Sequence, residues 1–188
     1  VFWGQTESLH LVDVINQTDA IEAIDGEDKL GQPMVNLSLI QDWGTTSLFI
    51  LPYFRERTFA GPEGRPRFML EVDTDNPIFE SSDEEKNVDW AARWQHTLGR
   101  WEVGVSYFDG TSREPILVPE MSEEVALLRP FYPQMQQAGV DVLAVMGAWL
   151  LKFEGISRRT NVENYNALVG GFEYTKWVCL IPSLIWVG

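Results

Sequence analysis

Polar and charged side chains recur at alternate positions in several otherwise apolar segments of this sequence. Alternate side chains of a β-strand point to opposite faces, so these residues are expected to share one face of a sheet. Charges on such a face need water or partners of opposite sign, and pairs across a water-filled lumen would filter solutes by charge and size. The candidate pore-lining set is Arg55, Arg57, Arg93, Gln95, Glu102, Lys152, Glu154 and Glu173.

The sequence offers no comparable pattern for catalysis. Ser112 stands beside Arg113 in the stretch GTSRE (110–114), but no histidine follows at a recognisable spacing. Nucleophile, phosphate-loop and dinucleotide motifs are absent. The sequence therefore predicts neither an enzyme nor a bound cofactor, and 110–114 is expected to be an exposed turn.

Metal binding has only weak support. The acidic stretches DGED (25–28) and DTDN (73–76) carry oxygen ligands of the kind that Ca²⁺ prefers, without the spacing of an EF-hand. Ordinary solvated acidic loops explain them as well. Because the chain has two histidines and one cysteine, no metal site is predicted.

The net charge limits the possible partners. The formal charge is −14, which argues against nucleic-acid binding, since that requires a basic face, and disfavours docking on an anionic lipid surface. Most acids lie in clusters between the apolar segments, where loops are expected.

Hydrophobicity alternates mainly with a period of two residues, which predicts an all-β protein. Apolar and polar residues alternate over 89–98 and again over 101–107, around a tight turn at 99–100. The predicted strands are 1–7, 35–43, 47–59, 89–98, 101–107, 140–146, 149–156 and 165–175.

Long and tight connections alternate between these strands. The segments 8–33, 60–86 and 109–135 are long and 157–164 is of medium length, whereas 44–46, 99–100 and 147–148 are turns. This asymmetry is typical of an antiparallel up-and-down transmembrane β-barrel with short periplasmic turns and long outer loops. We expect 8–33 to fold inward and narrow the pore.

A soluble β-sandwich also has alternating strands, and the pattern alone leaves it open as a binding module. Two features favour the membrane. The predicted strands approach the ~9–11 residues that cross a bilayer, and aromatic residues mark strand ends, where an interfacial girdle would lie. These aromatic residues are Trp43, Trp90, Trp101, Tyr107, Trp149 and Tyr174.

Five runs carry a resemblance to a known family: VFWGQTESLHLVDVINQTD (1–19), DGEDKLGQPMVNL (25–37), LPYFRERTFAGPEGRPRF (51–68), YFDGTSREPIL (107–117) and GGFEYT (170–175). They resemble uncharacterised Gram-negative outer-membrane porin-like barrels, distantly similar to alginate-export and related porins. The resemblance implies a location in the bacterial outer membrane, contact with its lipid and lipopolysaccharide, and a complete barrel considerably longer than this chain.

On this basis, 1–175 is expected to supply about eight strands of a larger, incomplete barrel. A closed eight-stranded barrel is filled by its own side chains and leaves no channel, so a pore requires further strands. Residues 176–188 lose the alternation and form an atypical tail, with a truncation or frameshift as its expected origin, and Cys179 is expected to be an ordinary apolar residue.

The predicted function is passive diffusion of small hydrophilic solutes through a charged lumen. The alternatives are a structural or partner-binding envelope barrel with a plugged lumen, and the soluble sandwich.

Overall fold

The computed structural model describes residues 3–6, 10–19, 21, 29–61, 63–64, 69–121 and 126–176. Its regular structure is almost entirely β, and within these residues no helix has the length and hydrophobicity needed to cross a bilayer. The strands are β1 (Gln17–Thr18), β2 (Lys29–Leu30), β3 (Val35–Gln41), β4 (Gly44–Leu51), β5 (Glu71–Val72), β6 (Ile78–Phe79), β7 (Asp89–Leu98), β8 (Trp101–Thr111), β9 (Ile116–Met121), β10 (Ala126–Tyr132), β11 (Gln134–Met146), β12 (Trp149–Thr160) and β13 (Asn164–Tyr174), with one short 3₁₀ helix at Glu84–Lys86.

Seven strands form the main sheet, an antiparallel meander in the order β13-β12-β11-β8-β7-β4-β3. Tight turns join β3 to β4, β7 to β8 and β11 to β12 at one end, and we call this the turn end. Gly99 and Gly147 have φ of 64° and 66° in two of these turns, a left-handed conformation that glycine adopts without a steric penalty. The predicted hairpins around 99–100 and 147–148 are confirmed.

The two faces of the main sheet differ in chemistry. Residues that pair directly across neighbouring strands lie on the same face of the sheet. Arg93, Asp141 and Glu154 share one face, which we call the inner face. Trp90, Val105 and Phe153 fall on the opposite one, the outer face. The inner face is buried and rich in charge, whereas the outer face is apolar and exposed.

The N-terminal segment, defined as residues 3–6 and 10–17, covers the inner face. Its Trp3, Val12 and Ile15 belong to one buried cluster with Phe49 and Phe108 of the sheet. Gly139 makes room for this packing, because a Cβ there would lie 3.0 Å from Cγ1 of Val12. The hydrophobic core of the described chain therefore lies between this segment and the sheet.

A second, smaller sheet occupies two of the long connections. Strand β10 pairs antiparallel with β9 on one side and parallel with β5 and β6 on the other. Rings of Phe54, Phe79 and Tyr132 pack where this sheet meets the chain after β4, with centroids 4.9–6.0 Å apart.

Five predictions about the fold are corrected. The medium-length connection predicted over 157–164 is a short turn at 161–163, because β12 continues to Thr160 and β13 begins at Asn164. Residues 3–6 do not form a strand, because their backbone N–H groups bond to side chains and Gly4 has a φ of 131°. The main sheet therefore has seven strands and not eight. The first turn lies at Asp42–Trp43 and not at 44–46, and the strand predicted over 47–59 ends at Leu51. The pairing is not antiparallel throughout, since β5 and β6 are parallel to β10.

No closed barrel is found, since β3 and β13 stand at opposite edges of the main sheet within the described residues. Both edge strands run in the same direction, as the first and last of seven alternating strands do. Direct closure of β13 on β3 would therefore be parallel, and an antiparallel closure requires an odd number of further strands.

Gly44→Ala is expected to lower the free energy of unfolding by about 1–3 kcal/mol. Gly44 has a φ of 128°, and a Cβ there would lie 2.6 Å from the backbone oxygen of Gln95. The control is Gly171→Ala in β13, where no atom lies within 4 Å and a change within about 0.5 kcal/mol is expected. Urea unfolding followed by tryptophan fluorescence measures both, and equal midpoints would contradict the assigned turn.

Candidate functional site

An ion pair between Arg93 and Asp141 crosses the inner face. Nη1 of Arg93 donates to Oδ2 of Asp141 at 2.7 Å, and Nη2 donates to Oδ1 at 2.9 Å. The pair spans β8, which lies between their strands and places Gly104 beneath them. A Cβ on Gly104 would overlap both the guanidinium and the carboxylate. The fork-to-fork geometry is the strongest form of this interaction and is available because β8 has no side chain at that position.

A second buried pair joins Asp89 of β7 to Arg113. The prediction of an exposed turn at 110–114 is wrong, because β8 continues to Thr111, and Thr111, Ser112 and Arg113 are buried. Nη1 of Arg113 donates to Oδ2 of Asp89 at 2.6 Å, and the guanidinium lies 5.0 Å from the ring centre of Phe108. Burial lowers the pKa of Arg113, while the adjacent carboxylate of Asp89 opposes that shift. Because Arg113 also bonds the carbonyls of Thr111 and Ile15, it ties the N-terminal segment to the end of β8.

Two further pairs involve β12. Nη1 of Arg158 donates to Glu114 at 2.7 Å, and its Nε donates to the amide oxygen of Gln137 at 2.7 Å. Lys152 is paired with Glu173 of β13, whose side chain is half-exposed. Each of these bases thus has an acidic partner at hydrogen-bonding distance.

Glu154 has a different set of partners, because its carboxylate receives backbone N–H groups from the N-terminal segment. Oε1 accepts from the amides of Gln5 at 2.7 Å and Thr6 at 2.8 Å, and also from the hydroxyl of Thr6. Oε2 accepts from the amides of Leu11 at 2.9 Å and Val12 at 3.3 Å. The side chain is fully buried. The segment folds around this carboxylate as a helix N-terminus does around an anion.

The residues next to this carboxylate fix the start of the segment. A Cβ on Gly4 would lie 2.9 Å from Oε1 of Glu154, so only glycine fits there. Trp3 stacks near Arg93, with 5.5 Å between the guanidinium carbon and the ring centre. The backbone amide of Trp3 donates to Asp13. Burial raises the pKa of Asp13, although Lys29 at 3.6 Å acts in the opposite direction.

A cavity of about 350 Å³ remains at the turn end of the inner face, beside the Arg93–Asp141 pair. Gln5 of the N-terminal segment forms part of its wall. The other polar residues that line the cavity are Gln41, Thr45, Gln95, His96, Thr97 and Glu102. The cavity is therefore polar and suited to water and hydrophilic solutes.

Six of the eight candidate pore-lining residues share the inner face. Arg93, Gln95 and Glu102 line the cavity, and Lys152, Glu154 and Glu173 lie further along the same face. Their role in lining a pore stays a prediction.

The other two, Arg55 and Arg57, follow the end of β4 and do not stand on a strand of the main sheet. Arg55 donates to the carbonyl of Gly31, and the amide of Arg57 donates to the hydroxyl of Tyr132. The sequence did not indicate that β4 ends at Leu51, because the apolar run that begins at Leu48 continues to Phe54.

Sequence reasoning missed several residues of the inner face. Asp141 is the one charged residue between Val140 and Met146, and the period-two pattern places it opposite Val140 and Val142, so its position carried a signal. Asp89 lies on the polar side of its predicted strand but was not predicted as a site residue, and Arg158 lies in the connection predicted over 157–164. Gln5 had no periodic signal, because the structure that positions it is not a strand.

Of the two acidic stretches considered for Ca²⁺ binding, 73–76 lies within the described residues. Asp73 uses both carboxylate oxygens within its own loop, accepting from the amide of Asp75 and the side chain of Asn76. Residues 25–28 lie outside the described part of the chain, as does Cys179. Within the described part, no three His, Cys, Asp or Glu side chains are grouped to hold a metal ion.

Comparisons with known proteins give no assignment. No family model matches the sequence, and no curated protein and no solved structure matches the chain.

Glu154→Gln is expected to loosen the N-terminal segment and to cost about 2–4 kcal/mol of stability, because an amide has one acceptor oxygen and leaves buried N–H groups unpaired. Hydrogen exchange measured by mass spectrometry should show faster exchange at Gln5, Thr6, Leu11 and Val12. The matched control is Glu173→Gln, whose half-exposed ion pair contributes less than about 1 kcal/mol. Unchanged protection in the Glu154 variant would contradict its anchoring role.

Proposed function

We propose that this chain forms part of a porin-like β-barrel in the bacterial outer membrane, whose inner face lines a channel for passive diffusion of small hydrophilic solutes. One observation carries the proposal. The charged face of the main sheet is buried, and the apolar face is exposed.

A soluble protein normally has polar side chains on the sheet face that no other element covers, including where the covered face combines an apolar core with ion pairs, as the inner face does here. Here the outer face exposes large apolar side chains on β4, β7, β8, β12 and β13, and nothing in the described chain covers them. They include Leu48, Ile50, Trp90, Trp101, Val105, Trp149, Leu151, Phe153, Leu168, Phe172 and Tyr174. Hydrocarbon chains of a bilayer would satisfy this surface, and water would not.

The aromatic residues of the outer face stand at two levels. Trp101, Trp149 and Tyr174 lie at the turn end, with the rings of the latter two 4.7 Å apart. Trp90 and Tyr107 lie further along the sheet, with rings 5.3 Å apart. Along β8 the two levels are separated by roughly 20 Å at ~3.4 Å per residue. With the ~35–45° strand tilt of membrane barrels, this distance corresponds to roughly 15 Å along the membrane normal, which is less than the ~25 Å apolar band between their aromatic girdles.

A plugged barrel with a structural or partner-binding role is the second candidate. The N-terminal segment favours it, because that segment packs against the inner face along much of its length and is held by Glu154. A segment in that position either narrows a channel or blocks it.

Conductance distinguishes the two candidates. The full-length protein in a planar lipid bilayer is expected to give discrete conductance steps, and Glu154→Gln is expected to raise the unit conductance because the segment is released. Insertion without any conductance in either protein would favour the plugged barrel and contradict the channel.

Val105→Arg is expected to lower the fraction of protein that inserts into lipid vesicles, because Arg on the lipid face costs about 2–4 kcal/mol at the bilayer midplane. Val162→Arg is the matched control, since Val162 is also exposed but lies in the connection between β12 and β13. Flotation of vesicles measures insertion. Equal insertion of both variants, or recovery of the unaltered protein as a detergent-free monomer in water, would contradict a membrane location.

A further inference from the structure

The charges of the inner face do not balance. Within the described residues, the four basic side chains that reach this face are all in ion pairs: Arg93 with Asp141, Arg113 with Asp89, Arg158 with Glu114, and Lys152 with Glu173. Among the described side chains, no basic residue forms an ion pair with Glu102 or Glu154. Glu154 is enclosed by the amides of the N-terminal segment, and Glu102 is exposed in the wall of the cavity.

The positive charge beside the cavity is not available to an anion. Both terminal nitrogens of Arg93 donate to Asp141, which is 1% exposed, and Nε faces the amide oxygen of Gln95 at 3.4 Å. The positive charge of Arg93 and the negative charge of Asp141 cancel, so the pair contributes little net charge to the cavity. The remaining charge at the wall is that of Glu102.

We propose that this cavity is a binding and selection site for small cations, and that Glu102 sets a preference for cations over anions in the channel. The inference rests on the proposed function, because it assigns a substrate class to the same inner face. A carboxylate without a basic partner in the wall of an aqueous cavity raises the local concentration of cations.

The size of the cavity suits this role. Its volume of about 350 Å³ corresponds to roughly a dozen water molecules at ~30 Å³ each. A hydrated monovalent metal ion or a small organic ammonium ion fits within that space. Thr45, Thr97 and Gln95 line the same cavity and carry neutral oxygen atoms, which can replace part of the hydration shell of a bound ion.

The test is the reversal potential of single channels in a planar bilayer under a KCl gradient. The unaltered protein is expected to be severalfold more permeable to K⁺ than to Cl⁻. Glu102→Gln should lower the permeability ratio at least twofold, Glu102→Lys should bring it below one, and Glu102→Asp should keep the preference. Only inserted channels contribute to the measurement, so a folding defect cannot imitate the effect.

The matched control is Glu163→Gln, which removes the same charge from the exposed connection between β12 and β13 and should leave the ratio unchanged. Raising the salt from 0.1 to 1 M should weaken the preference, because the Debye length falls from about 10 to about 3 Å. Channels that favour Cl⁻, or a ratio insensitive to Glu102→Gln, would overturn this inference and leave the proposed channel in place. Absence of conductance would overturn the channel, and this inference with it.

Discussion

A buried carboxylate needs hydrogen bonds, and the structure depends on how Glu154 obtains them. An unpaired charge in the interior costs several kcal/mol, so the N-terminal segment must approach until its amides complete the shell. That approach brings Trp3 to the Arg93–Asp141 pair and Val12 onto Gly139. The apolar core then forms between segment and sheet, around a charged centre.

The same constraint explains the glycines of the inner face. Arg93 and Asp141 are two strands apart, and they meet because Gly104 leaves open space on the strand between them. Asp89 similarly lies over Gly110, where a Cβ would overlap its carboxylate. Charged side chains that would be exposed on an isolated sheet thus lie flat across it and neutralise one another, and this arrangement keeps the face compact without making it apolar.

The contrast between the two faces connects this packing to the proposed function. Most charged side chains of the inner face are paired with an opposite charge or bound by backbone amides. A polar cavity remains at the turn end. The outer face has no such partners and exposes apolar and aromatic side chains. Under the proposed function, lipid around the outer face and water in the cavity would satisfy both surfaces. Antiparallel closure of the seven-stranded sheet into a barrel would then need further strands.

The sequence by itself determined the local pattern: strands β7, β8, β12 and β13, their tight turns, and the shared face of Arg93, Gln95 and Glu102. Period two is a property of neighbouring residues, so it is visible without a fold. The tertiary structure alone decided that residues 3–6 are not a strand, that β4 ends before Arg55, and that Glu154 holds a segment about 150 positions away in the chain. These outcomes depend on contacts between distant residues, because a buried charge selects its partners by position in space and leaves no periodic signal in the sequence.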